Sequence, residues 1–209
     1  SATDTLPRTS SIGGFEAAMN FTYFLPNYSQ LKYGVEVNGI NTSLSYYSST
    51  GISTTQDRQG TIAALYFMYR HNLNKKVIIE PSLRFQYYSE LNKLSPEPRI
   101  GIKANVSENV RMKGSAGIYS QSIVSTKSDI DIVNLFAGFL LSPDQQIKNA
   151  DGEIVKSNLQ KSYHAVFGVE VDVNKVELNF EPWFKYFSPI IELNRNKKVS
   201  SDPDFVASS

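Results

Sequence analysis

The side chains able to do chemistry are few, and their spacing restricts them further. Among 209 residues there are two histidines and no cysteine, which removes disulfides, thiolate metal sites and cysteine nucleophiles together. A histidine-built metal site would have to lean on carboxylates. His71 ends one periodic segment before a short turn, and His164 lies on the polar face of another. Neither has a serine or carboxylate in a triad-like context, so no catalytic residue is assigned. Glu177 and Glu181 share one face of one segment and are the nearest approach to a glycosidase carboxylate pair, with no cleft indicated around them. Asn149-Ala150-Asp151-Gly152-Glu153 carries spaced oxygens but not the full spacing of a calcium loop. Its Asp-Gly reads more simply as a hairpin turn. No metal and no cofactor is expected. The sequons at Asn20 and Asn105 fall inside predicted strands and read as chance matches.

What positions these groups is a period of two. Phe15, Ala17, Met19, Phe21 and Tyr23 share one face, against Glu16, Ala18, Asn20 and Thr22. Leu31, Tyr33, Val35 and Val37 alternate with Lys32, Gly34, Glu36 and Asn38 in the same way. The pattern returns around Ala63–Arg70, Ile79–Tyr88, Arg99–Val106, Val110–Ile118, Tyr163–Val173 and Val176–Tyr186. A helical period would mix Glu with Phe on every face, so these are strands with two unlike faces. That makes eight strands, several of ten residues or more. Pro81 and Pro182 fall within them, and bulges or rim positions are expected there.

Composition leaves two homes for such strands. Lys and Arg number 21 against 20 Asp and Glu, for a net charge of +1, so nothing recommends nucleic acid as a partner. No apolar run is long enough for a transmembrane helix. No signal peptide is visible at the start. These figures fit a soluble domain; the strands do not. Short turns at Pro26–Gln30, Asn72–Lys76, Ser107–Asn109 and Asn174–Lys175 alternate with longer connections at Ser48–Gly60, Ser89–Pro96 and Ser120–Lys161. Alternating connection lengths and long strands are features of a transmembrane β-barrel, whose apolar face meets lipid and whose charged face lines the lumen. Tyr23, Phe24, Tyr46, Tyr47, Tyr87, Tyr88, Tyr119, Tyr163, Tyr186 and Phe187 near strand ends read as an interfacial girdle.

Particular phrases carry a resemblance beyond the period. Leu31-Lys32-Tyr33-Gly34-Val35-Glu36, Leu94 to Lys103 (LSPEPRIGIK), Gly117-Ile118-Tyr119-Ser120-Gln121, Leu159 to His164 with Gly168-Val169-Glu170, and Phe184 to Lys197 stand in order along the chain. Together they resemble TonB-dependent outer-membrane receptors of the Bacteroidetes type, over residues 13–205. The resemblance implies an all-β fold: an antiparallel up-and-down transmembrane β-barrel segment, about eight strands of a barrel of about 22. Residues 1–209 would then be part of one β-barrel domain, an internal fragment, with the plug domain and the remaining strands outside the chain. The implied function is import of a scarce nutrient (an iron-siderophore, a vitamin, or a glycan or peptide) across the bacterial outer membrane, without enzymatic chemistry. The implied partners are the lipid bilayer, the receptor's own plug, and the TonB-ExbB-ExbD complex reached through the missing N-terminal part. A surface lipoprotein over the loops stays open as a further partner. Two other readings also stay open: a complete small outer-membrane barrel or porin, and a soluble carbohydrate-binding β-protein.

Within the barrel reading, Glu36, Glu80, Arg84, Arg99, Lys103, Arg111, Lys113, Glu170, Glu177 and Glu181 should face the lumen. They would contact a plug or pair with opposite charges on neighbouring strands. Arg99, Lys103, Arg111 and Lys113 form the one basic cluster, facing acidic plug residues or an anionic substrate. The connection Ser120–Lys161 is long enough to be functional, and Ile130–Leu141 is too apolar for a free solvent loop. Asp131, Asn134, Phe136 and Phe139 are its candidate substrate-binding residues; the alternative is packing against other loops.

Overall fold

The computed structural model describes residues 9–47, 53–74, 76–125, 138–141, 147–149, 151–155, 158–193 and 205–208. Its main element is an antiparallel sheet built from β1 (Thr9–Phe24), β2 (Gln30–Tyr47), β3 (Ser53–Asn72), β4 (Val77–Tyr88), β5 (Lys93–Asn105) and β6 (Val110–Gln121). Three short strands follow: β7 (Ile123–Ser125), β8 (Phe139–Leu141) and β9 (Lys148–Asn149). The meander then continues through β10 (Gln160–Val173), β11 (Val176–Phe180) and β12 (Trp183–Ser188). Each strand pairs with its predecessor, in the order β1-β2-β3-β4-β5-β6-β10-β11, with β12 also on β10. Outside this sheet, β13 (Ile190–Leu193) pairs β14 (Phe205–Ser208), which pairs β9, while β7 pairs β8.

The eight periodic segments are all strands. β11 and β12 are one strand, because Val169↔Phe180 and Val166↔Trp183 keep a single register on β10. Two of the expected long connections are shorter than the alternation suggested. β3 begins at Ser53 and β5 at Lys93, so most of 48–60 and half of 89–96 is strand. Those stretches have polar residues on both faces, which hides period two. The Asp-Gly segment is a turn as read: Asn149 Oδ1 accepts the amides of Asp151 (3.1 Å) and Glu153 (2.8 Å), and Gly152 takes φ 84.

Register aligns the apolar faces into a belt. Met19 faces Val35, Val35 faces Leu65 and Leu65 faces Phe85; farther along, Phe167 faces Gly114 and Ala165 faces Phe184. The belt is exposed, with Phe15, Met19, Phe67, Ile100, Phe167, Phe180 and Phe184 all open. On β1 it runs from Phe15 to Tyr23, about 26 Å of strand, or about 20 Å of height at a barrel's tilt. Above it the same face turns to Ser11, Asn41, Ser43, Asp57 and Gln59. An exposed apolar band of that height, with a polar margin, is matched to a bilayer core.

Parity corrects part of the girdle. Tyr23, Tyr87, Tyr163 and Tyr186 lie on the outer face, and Tyr163 and Tyr186 rings sit 6.0 Å apart. Tyr88, adjacent to Tyr87, must point the other way; it is wholly buried on the inner face. Tyr119 and Phe187 are also interior, grouped around His164 with ring centroids at 4.6 and 6.4 Å.

The prolines correct a second expectation. Register is unchanged on either side of Pro81 (Met68↔Ser82, His71↔Ile79) and of Pro182, so neither makes a bulge. Each instead leaves a gap in one ladder. Val77 C=O accepts Leu73 N–H from the β3 side, so odd positions of β4 face β3 and Pro81 lacks its donor there. Asn105 N–H donates to Lys76 C=O, so odd positions of β5 face β4, while Pro96 and Pro98 face β6. The β5–β6 ladder accordingly stops at Arg99↔Gly117, and the strands part above it.

Candidate functional site

The inner face carries its charges as a layered set of pairs. Low on the wall, Arg111 contacts Glu170 (2.9 Å), Asp172 (2.9 Å) and Glu177 (3.8 Å), and Lys113 contacts Glu170 (2.8 Å) and Glu181. Gly168 makes the last pair possible. A Cβ there would meet Lys113 Cε at 2.8 Å, so its absence lets lysine cross β10 to reach β12's approach. Farther round, Arg84 binds Glu36 through two bonds of 3.1 and 3.0 Å, and Arg70 binds Glu80 at 2.5 Å. Gly34 likewise lets Tyr66 cross β2 and donate to Asn20 Oδ1 at 2.7 Å.

Nine of the ten charges expected on the inner face thus have an opposite charge within the wall, with Arg99 paired to Glu97 at 2.6 Å. Lys103 is the exception, lying opposite Lys113 without an ion pair among the described residues. The basic cluster is therefore largely neutralised by the strands beside it. Glu177 and Glu181 bind separate bases and, four residues apart on one strand, lie about 13 Å apart, beyond glycosidase spacing. Among the described residues, no group of three potential ligands could hold a metal.

Above these layers β8, which belongs to the connection between β6 and β10, lies against the inner face. Leu141 N–H donates to Thr42 Oγ1 and Phe139 N–H to Ser10 Oγ, both at 3.2 Å. Both hydroxyls belong to the inner face of the β1–β2 extension. Leu141 and Leu44 are almost fully buried, so the paired strands β7 and β8 are anchored as a roof. Beneath it is a cavity of about 500 Å³ lined by Ile12, Ile62, Gln86, Tyr88, Ser120, Gln121, Ser122, Ile123 and Phe139. A second space of about 510 Å³ shares Ile12, Ile62 and Gln86 with it and descends to Glu36, Asn38 and Arg84.

One ordered chain of hydrogen bonds forms the chamber's polar side. Arg84 Nε donates to Gln86 Oε1 (3.0 Å), and Gln86 Nε2 donates to the Tyr88 hydroxyl (2.8 Å). Ser120 gives its proton to Glu97 Oε1 (2.5 Å), so Tyr88 must donate to Ser120 Oγ (3.0 Å). Glu97 also accepts Ser120 N–H (2.8 Å) and Arg99 Nη2 (2.6 Å), and Arg99 lies 4.2 Å over Tyr119. This carboxylate fills the opening that Pro96 and Pro98 leave between β5 and β6.

Neither a protein-family model nor a curated protein matches the sequence. Solved structures do match in shape. The siderophore receptor PirA from Pseudomonas aeruginosa superposes at a TM-score of 0.59, with 14% identity, over 90% of this chain and 35% of that one. A mutant of the ferric enterobactin receptor PfeA from the same organism gives 0.61 and 13% over 88% of this chain and 28% of that one. The RagAB peptide importer gives 0.54 and 10%, over 88% and 24%. The chain has the fold of a stretch of β-barrel wall from such proteins. It spans about a third or less of each of these structures.

Set in that barrel, Phe139 lines the roofed chamber, whereas Asp131, Asn134 and Phe136 lie outside the described residues. The sequence reading missed Tyr88, Ser120, Ser122, Ile12 and Ile62. Parity could have recovered Tyr88 and Ile62, which oppose each other on β4 and β3. Ser122 follows the last residue of β6, where period two no longer applies.

Proposed function

We propose that the chain is a wall segment of an outer-membrane receptor that imports a nutrient, with its apolar belt in lipid and the roofed chamber facing the molecule taken up. The observation carrying this reading is the in-register belt, about 20 Å high, behind which the strands of the main sheet carry paired charges on their inner face. In this reading β1 and β11–β12, which pair on one side only, continue into further strands that close the barrel. A plug would then fill the lumen, meeting inner-face charges such as Lys32 and Lys103, which make no ion pair among the described residues. Energy for import would reach that plug through TonB and its ExbB-ExbD partners. The fold supports transport over enzymatic work, because its structural neighbours are receptors and an importer.

The test is deletion of the gene in its host, followed by fractionation and growth on single nutrient sources. The protein should be recovered with outer membranes and released only by detergent. Deletion should abolish growth on one limiting nutrient, with wild-type growth on the others. Recovery in the soluble fraction without detergent would overturn the reading.

A further inference from the structure

We propose that the outer face of the wall binds one anionic, phosphate-bearing lipid of the surrounding membrane, with its acyl chain in a groove beside Tyr163 and its phosphate on Lys161. This rests on the outer-membrane reading and adds to it a lipid partner of defined chemistry at a defined place.

Strand parity leaves the outer face nearly empty of charge. Lys161 is the one lysine or arginine at an outer position of the main sheet's described strands. Its register neighbours are Ser120 and Ser188, and it makes no ion pair among the described residues. Below it the outer face of β10 is apolar without a break, from Tyr163 through Ala165, Phe167, Val169 and Val171 to Val173. Those ten steps make about 34 Å of strand, or about 24 Å of height at a barrel's tilt, which is the height of the lipid-facing band. Lys161 thus stands just above the band, on the side of the long connections, where headgroups begin. Tyr163 and its neighbour Tyr186 mark that boundary. A groove opens in the same face beside Tyr163. It holds about 390 Å³ and is lined on the outer side by Pro98, Ile100, Ala116, Ile118 and Tyr163. Register explains the hollow: Ile100 faces only Ala116, and β5 and β6 part above Arg99↔Gly117. Arg99, Gly117 and His164 border it from the inner side, and Arg99 is already held by Glu97. An apolar groove at the edge of the band has hydrocarbon as its solvent, so an acyl chain fills it. The headgroup of that lipid then lies at the level of Lys161, whose stem can run along apolar surface while its ammonium reaches the phosphate. A cation without a partner favours an anionic headgroup over a neutral one.

The test is photolabelling of the complete receptor in phosphatidylcholine vesicles by a lipid that carries a diazirine in its acyl chain. Two probes with identical chains are compared, phosphatidylglycerol and uncharged diacylglycerol. Labelling of residues 114–118 is divided by labelling of Phe15–Tyr23, where the belt is exposed and no lysine or arginine stands. That ratio should be about five-fold higher for phosphatidylglycerol, the factor that one lysine near a membrane surface supplies. Lys161→Gln should bring the two probes level, and Lys161→Arg should keep the difference. Ala116→Phe, which fills the groove, should lower the ratio for both probes. Equal ratios in the native chain, a comparison that needs no variant to fold, would overturn the inference. So would a preference that survives Lys161→Gln, or groove labelling untouched by Ala116→Phe. Loss of the preference to inorganic phosphate, at an ionic strength matched with chloride, would assign the lysine to a free anion and also overturn it. Labelling of Phe15–Tyr23 without any groove preference would strike this inference only. Labelling of neither region by either probe would strike the membrane reading itself.

Discussion

Glu97 and Glu181 each precede a proline inside a strand, and each stands beside the ladder gap that proline creates, yet the two sites are built differently. Glu97 is 1% exposed and bridges two parted strands, taking an amide, a hydroxyl and a guanidinium at once. Glu181 is 38% exposed and reaches one lysine across an intact pair of strands. Glu80, before Pro81, resembles Glu181: it is part-exposed and paired with Arg70 directly across its gap. The same dipeptide thus recurs on the inner face with the acid beside the missing donor. Burial decides whether that acid is structural cement or a solvated partner. A buried carboxylate with three donors leaves all three unsatisfied when removed, whereas an exposed one is replaced by water.

The largest expected effect follows from that difference. Glu97→Ala should destabilise the receptor by about 3–5 kcal/mol, the cost of breaking a buried charge pair, read from urea unfolding in lipid vesicles. Glu97→Gln should lose less, because an amide oxygen can still accept the Ser120 N–H. If the two variants were equally harmless, the carboxylate would not be bridging β5 and β6, and the contrast with Glu181 would collapse.

Arg84 should come next. Its fork holds Glu36 and also begins the hydrogen-bond chain to Tyr88. Arg84→Met should cost about 2 kcal/mol, as a partly buried charged hydrogen-bond set does. Arg84→Lys should fall between, since lysine keeps the charge without the fork. A lysine variant as stable as the native chain would show that charge alone matters there.

Pro98→Val sharpens the comparison by supplying the absent donor. If Pro98 keeps β6 away, the new amide should pair opposite Ile118, exchange slowly, and reduce the Glu97→Ala penalty by about 1 kcal/mol in a double-mutant cycle. Additive effects would mean that the parting of the strands has another cause.

How much of this was legible in the sequence depended on which interactions set each feature. The belt residues Phe15 to Tyr23 and Val35 to Val37 announced themselves because lipid and lumen demand opposite polarity at alternate positions. The upper halves of β2 and β3 did not, because Asn41, Ser43, Asp57 and Gln59 stand above the membrane, where neither face must be apolar. Tyr88 was assigned to the girdle from its company rather than its parity. The chamber was hidden for a further reason: Ile12, Ile62, Tyr88 and Ser120 meet through strand register and an inward turn after Gln121, which no local spacing records. Phe139 was singled out because an apolar run in a long connection needs something to cover it, and it lines the cavity.

The smallest effect should belong to the exposed network at the other end of the wall. Lys113→Ala removes the Glu181 pair and one of two bases on Glu170, but Arg111 still holds Glu170 at 2.9 Å and Asp172 at 2.9 Å. Redundancy and solvent both reduce the loss, to the smallest of the set even at low ionic strength. Because the pair is open to water, that remainder should vanish in about 1 M salt, where the screening length shrinks to about 3 Å. The Glu97→Ala penalty should persist under the same salt, since water and ions do not reach its carboxylate. Unfolding both variants across a salt series measures the contrast directly. A salt-sensitive Glu97 or a salt-insensitive Lys113 would reverse the assignment of cement and solvated partner.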